Sequence, residues 1–236
     1  MNGNLSRRKL RGGDGNTVSP GIDKMMSDNV YWRGWSEGQL AAYHQNQGSS
    51  NHCAKYAAAT ALNMLFGIVL TGDDLVDWVE SRPLKGTGKF TIFGNHNGSL
   101  VYQTANLVRE LGRQAGLPIR VMGQIGRVSG LLESLRDDNV LPLVTLTYLM
   151  GEEPVIARGE NIANSLAPSG WIGGHIMILG AFDPSHRNKD NISTPWGFLS
   201  SWGASDHLYW MTEEDFRRTW GRLSLLNTVK IARTDT

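Results

Sequence analysis

The chain has 236 residues, 40% of them hydrophobic and 19% charged, with a formal net charge of +1. That length supports a sizeable core in one large domain or two small ones, and the near-zero charge offers no bulk attraction to nucleic acid or to a membrane surface. No apolar run reaches the roughly 18 residues of a membrane span. The basic residues Arg7, Arg8, Lys9 and Arg11 precede no apolar segment, so the N-terminus does not read as a secretory signal and a cytoplasmic location is the expectation. The single cysteine, Cys53, has no internal disulfide partner. It fits a reducing compartment or a thiol kept for its reactivity.

Residues 1–29 are polar and glycine-containing and read as a mobile tail; residues 30–236 read as the folded domain. Tyr31 to Tyr43 is an aromatic-rich lead-in expected to pack on the body. Cys53 to Phe66 reads as a helix, because Tyr56, Ala57, Thr60, Ala61, Met64 and Leu65 recur at helical spacing. Ser50 or Asn51 is a candidate cap and Gly67 a stop. Thr71 to Val79 reads as a short helix with Asp73 and Asp74 in its first turn. Residues 86–99 are rich in Gly and Asn and read as a loop around a short Phe90–Phe93 strand.

Leu100 to Ala115 is amphipathic and stops at Gly116-Leu117-Pro118, and Val128 to Arg136 is a further helix. Val140 to Leu149 is apolar and reads as a buried strand. A long polar connection, 150–172, precedes Gly173 to Phe182, a core strand that opens on His175. Phe198–Trp202 and Leu208–Met211 read as strands and Glu213 to Trp220 as a helix. Helices first and strands later predict an α+β fold rather than alternating βαβ units.

The chemistry centres on Cys53. Its place at a helix start, where unpaired N–H groups and the macrodipole favour negative charge, would help ionise the thiol. An imidazolium from elsewhere in the fold would help further. His175 is the leading partner: two glycines leave room beside it and an apolar strand would hold it. His186, His207 and His96 lie in polar loops, His44 lies near the cysteine loop, and His52 should point away from the thiol. Gln47, six residues ahead of Cys53, could donate to an oxyanion together with the Cys53 backbone N–H, each such donor contributing about 3 kcal/mol. A lone cysteine or a lone histidine is more often inert packing. It is the combination of spacing, helix start and Gly-Gly-His strand that points to acyl transfer.

With these residues in place, the chain resembles the papain-like cysteine peptidases. Gln47-Gly48-Ser49-x-x-x-Cys53 is similar to the papain loop Gln-Gly-Ser-Cys-Gly-Ser-Cys, and Ser201-Trp202-Gly203 to the end of Asn-Ser-Trp-Gly. Ala54 stands where Gly or Trp is common in these families. In overall plan the chain is similar to the peptidases of double-glycine leader peptides (peptidase C39-like) and their stand-alone relatives. The shared features are the Ala-rich nucleophile helix, the Leu141-Pro142-Leu143-Val144 strand and Glu213-Glu214-Asp215-Phe216-x-x-x-Trp220. The resemblance covers roughly residues 40–225.

It implies a papain-like fold in which a helical half with Cys53 packs on an antiparallel sheet with His175. Cys53 would be the nucleophile, His175 the general base and acid, and Gln47 part of the oxyanion hole. A peptide or protein would be the substrate, with no metal and no cofactor; neither HExxH nor CxxC occurs. Trp171 and Trp202 are candidates for lining the cleft. The residue that orients the imidazole, Asn in papain-like enzymes and Asp in leader peptidases, is Ser200 by the Ser-Trp-Gly alignment. It is Thr194 by the alternative on Thr194-Pro195-Trp196-Gly197, and Asn191 is a third possibility. Asp183 lies eight residues along the strand from His175, roughly 26 Å away. A hydroxyl offers no negative charge to an imidazolium, which implies slow chemistry or none. A catalytically impaired domain that binds a peptide, and a thiol acyltransferase on the same scaffold, are the rival functions. Leu10-Arg11-Gly12-Gly13 is similar to a double-glycine cleavage site; self-processing there would give a product starting at Asp14.

Overall fold

The computed structural model describes residues 31–32, 36–48, 50–81, 99–148, 173–202, 208–221 and 227–234. The tail expected over 1–29 with Gly12 and Gly13, the strand expected over Phe90–Phe93 and the connection expected over 150–172 with Trp171 lie outside them.

Three helices build one layer. The first long one, α2 (Cys53–Phe66), follows a short α1 (Glu37–Ala41) and is buried along nearly its whole length. A helix apolar on all sides must sit in the interior, and its alanines let neighbours approach closely. Its C-terminus is closed by Gly67 in the left-handed conformation, φ 62°, with Gly67 N–H on the Asn63 carbonyl. Its N-terminus differs from expectation. The N-cap residue is His52, and no side chain caps the helix. Ser50 instead donates its hydroxyl to the Gln47 carbonyl at 2.8 Å, which closes the loop before the helix. The first amides of α2 are therefore not consumed by a side-chain cap.

The next helix, α3 (Gly72–Glu80), starts with a capping box between Thr71 and Asp74. Gly72 lies under the Tyr56 ring: a Cβ there would fall 2.3 Å from it. The ring is pinned by its hydroxyl, which donates to Asp73 at 2.6 Å. Gly72→Ala should therefore lose about 1–3 kcal/mol of stability in urea unfolding. Gly38→Ala in α1, where a Cβ meets nothing within 4 Å, should be neutral or gain up to about 1 kcal/mol. Equal effects at the two sites would contradict the packing argument.

The amphipathic α4 (Val101–Ala115) completes this layer. Below it lies a seven-stranded, wholly antiparallel sheet in the order β2-β7-β3-β4-β5-β6, with β1 (Tyr31–Trp32) paired to the far end of β4. The strands are β2 (Ile119–Ile125), β3 (Val140–Tyr148), β4 (Gly173–Phe182), β5 (Trp196–Leu199), β6 (Tyr209–Met211) and β7 (Asn227–Arg233). Helices α5 (Val128–Arg136) and α6 (Glu213–Gly221) cover the other face. Alternation along the central strands sorts their side chains into two cores. Leu141, Leu143, Ile176 and Ile178 join Cys53 and the α2–α4 layer. Val144, Leu146, Met177 and Leu179 join Phe216 and Trp220 of α6.

The α+β class stands as expected, but the order of elements does not separate cleanly. Strand β2 lies between α4 and α5, and the C-terminal β7 inserts between β2 and β3. The strand expected over Phe198–Trp202 runs from Trp196 to Leu199. Residues 200–202 leave the ladder because their polar groups bond to the cysteine loop and to His175. No helix among the described residues is long and apolar enough to cross a membrane.

Candidate active site

The β4–β5 ladder begins at Ile178 and Leu199. Past that point, the β4 edge beside Gly174–Met177 is taken by the turn 200–202 and by the start of α2. The turn is fixed to the cysteine loop by a backbone bond from Gln47 N–H to the Ser201 carbonyl, 2.8 Å, and by the Ser201 hydroxyl donating to Gln47 Oε1. The loop is held in turn by Gln45, whose amide donates to the Leu70 carbonyl at 3.2 Å and accepts from Gly72 N–H at 2.8 Å. The termini of three elements thus meet at one place through pairings distant in sequence.

His175 is 1% exposed. Its ring stacks on Trp202, centroids 3.3 Å apart and planes 13° from parallel. Its Nε2 lies 3.0 Å from Ser200 Oγ, and that oxygen also accepts the Trp202 N–H at 3.2 Å. Its Nδ1 is buried and has no hydrogen-bond partner among the described residues. Ring rotation is blocked on one side by the Trp202 stack and at Nε2 by the serine.

Of the residues considered for orienting the imidazole, only Ser200 touches it. Thr194 is buried, but its Oγ1 is 2.8 Å from His186 Nδ1, beyond the Phe182 end of β4 and roughly 20 Å along the strand from His175. Asn191 is exposed, in a turn, with φ 60°. Asp183 accepts from Ser185 N–H and hydroxyl at 2.8 and 2.6 Å.

The Cys53 thiol lies against the backbone N–H of Ile176, the residue after His175. Burial pushes the thiol up from its ordinary pKa; the Ile176 N–H, the Lys55 cation and the helix-start amides of Ala54 and Cys53 pull the other way. Burial holds the His175 imidazole well below 6.5, with no charged neighbour among the described residues to oppose it. Desolvation therefore favours the uncharged form of both groups, an un-ionised thiol and a neutral imidazole. Because Nδ1 holds no hydrogen bond, no thiol–imidazole bond is closed in this arrangement.

Gln47 is 6% exposed. Its Nε2 donates to the Ser50 carbonyl and its Oε1 accepts from Ser201. A primary amide carries two donors, so one N–H is committed to the loop itself.

Ser201 has a place in the Ser-Trp-Gly motif, but the sequence carries no sign that it anchors Gln47 and assigns no role to Lys55, two positions beyond the thiol. Lys55 has no exposed surface. Desolvation lowers its pKa from 10.5 to about 8, opposed by the negative charges available at Cys53 and Glu80. A lysine inside an alanine-rich apolar helix is a sequence signal for such a group. The unfolded chain keeps this proton up to 10.5, whereas the folded chain releases it near 8. The unfolded state thus binds more protons between those values, and the stability of the native chain should rise with pH across that window. Lys55→Met should raise stability at pH 7 by about 1–3 kcal/mol, with the gain shrinking towards pH 10.5. Denaturant midpoints at pH 7, 9 and 10.5 check this; a gain independent of pH would point to packing alone.

No protein-family model matches the chain, and no curated protein matches it. Its fold is similar to that of a solved structure from Bacillus anthracis provisionally named a C39-like peptidase. The match has a TM-score of 0.57 and 10% identity, and it covers 89% of this chain and 100% of that one. The α+β architecture is thus that of a C39-like peptidase fold.

Proposed function

We propose that the protein is a cysteine peptidase that cleaves peptide bonds through an acyl-enzyme. The observation that carries this reading is the state of His175: one ring nitrogen is held by Ser200, while the other is open, on the strand whose next amide meets the Cys53 thiol. Cys53 attacks the substrate carbonyl as its proton passes to His175 Nδ1. His175 then returns that proton to the leaving amine, and water releases the acyl group. The Cys53 backbone N–H and the second N–H of Gln47 face the developing oxyanion. The neutral resting pair makes this a general-base mechanism in which charge appears only during attack.

The test is labelling of native protein at neutral pH with an epoxysuccinyl peptide, read by mass spectrometry. A single adduct on Cys53, lost in His175→Ala, is expected. A second reading, an impaired papain-like domain that binds a peptide, is favoured by the hydroxyl of Ser200, rather than a carboxylate or amide, being the partner of His175 Nε2 among the described residues. It predicts no label on native protein and normal label after unfolding. An acyltransferase would form the same adduct but yield an amide product when an amine is supplied with a cleavable peptide.

A further inference from the structure

The hydrogen bonds around Ser200 leave one proton in search of an acceptor. A serine hydroxyl has two lone pairs and one proton. One lone pair takes the Trp202 N–H, 3.2 Å away; the other faces His175 Nε2 at 3.0 Å. For His175 to receive a proton at Nδ1, its Nε2 must carry hydrogen and donate to Ser200. Both lone pairs are then filled, and the hydroxyl proton must point elsewhere. If the hydroxyl donates to Nε2 instead, the neutral ring carries hydrogen on Nδ1 and cannot take the thiol proton. The tautomer of His175 thus depends on whether Ser200 has a second acceptor to donate to.

His44 offers one. It shares with Thr60, Ser200 and Ser201 the wall of a small cavity of about 10 Å³, near the lower limit for one water. One nitrogen of its ring bonds the backbone of Trp202. The other, Nε2, is buried with no partner among the described residues. A ring that donates Nδ1–H to the Trp202 carbonyl keeps a lone pair on Nε2. Burial also lowers the pKa of His44, which keeps it neutral and able to accept.

We propose that His44 is a positioning residue that accepts the Ser200 hydroxyl proton through a water in this cavity, and so holds His175 with hydrogen on Nε2 and its lone pair on Nδ1. The proposal rests on the Cys53–His175 acyl-transfer reading. It gives the site a His44–water–Ser200–His175 chain where a carboxylate or amide would otherwise act.

The experiment is long-range proton–nitrogen NMR of histidine side chains in nitrogen-15-labelled full-length protein, paired with the rate of Cys53 alkylation by iodoacetamide. The wild type should show His175 as the Nε2–H tautomer and His44 as the Nδ1–H tautomer. In His44→Phe, His175 should shift towards Nδ1–H and alkylation should slow by about tenfold or more. His44→Gln, whose amide oxygen can accept, should recover most of both. An unchanged His175 tautomer and alkylation rate in His44→Phe would overturn the proposal. So would a wild-type His44 carrying hydrogen on Nε2, a measurement that needs no variant to fold. Failure of the underlying reading looks different: His175→Ala would then leave the alkylation rate unchanged.

Discussion

Alanine at position 175 is expected to lower kcat/KM for peptide cleavage by about 10²- to 10⁴-fold. The thiol proton has to go to a base during attack. Burial raises the pKa of the Cys53 thiol, so little thiolate stands ready near neutral pH. The opposing influences — the Ile176 amide, the helix-start amides and Lys55 — do not overcome desolvation. Without His175, no titratable side chain remains on the strand whose amide meets the thiol. The fold should survive the change: the ring lies at the end of β4, and the strand pairs remain from Leu143↔Ile178 to Leu146↔His175. Steady-state rates with a quenched peptide, alongside thermal melts, check this. A folded His175→Ala protein retaining wild-type kcat/KM would remove the base assignment.

The second large effect is expected at Ser200. Ser200→Ala removes the acceptor of the Trp202 N–H and the partner of His175 Nε2 together. Leaving both unsatisfied at a site 5% exposed should cost about 1–3 kcal/mol of stability. The cleavage rate should fall by roughly 10–100-fold as the ring loses its orientation. Ser200→Asp should act in the opposite electrostatic sense. A carboxylate beside Nε2 stabilises the imidazolium, so the His175 pKa rises from its depressed value. Since cleavage needs the neutral ring, the acid limb of the kcat/KM profile should move to higher pH. In the wild type that limb should lie well below pH 6.5, because burial alone sets the titration of His175. Profiles from pH 4 to 9 for the three proteins decide it. An acid limb at the same pH in wild type and Ser200→Asp would mean that this position does not communicate with the base.

The elements that could be read in the sequence are those with strong local signals. Helix α2 ran from Cys53 to Phe66 as its periodicity and Gly67 required. The strand Gly173–Phe182 was visible as a continuous apolar run after a glycine pair. Strands β2 and β7 carry no local strand signal, for a physical reason. β2 is an edge strand in which Val121 alone is buried. In β7 apolar and polar residues mix, with Lys230 donating to the Gly130 carbonyl at 2.8 Å. Both are strands because they pair with each other, a non-local fact that no window of sequence contains.

The candidate site divides in the same way. The residue types and their order, a thiol opening a small-residue helix and a histidine opening an apolar strand, are properties of the sequence alone. So was the short list of Ser200, Thr194 and Asn191. Only the tertiary structure placed Ser200 on the imidazole and Thr194 on a different histidine, because β-ladder register decides which end of a strand a residue occupies. Only packing could show that Lys55 is buried, that Gln47 is tied to Ser201, and that both members of the pair are desolvated towards neutrality. A pKa depends on what surrounds a group in space, and Ser200 with His175 and His44, like Cys53 with Ile176, are brought together only when the sheet and helices close on one another.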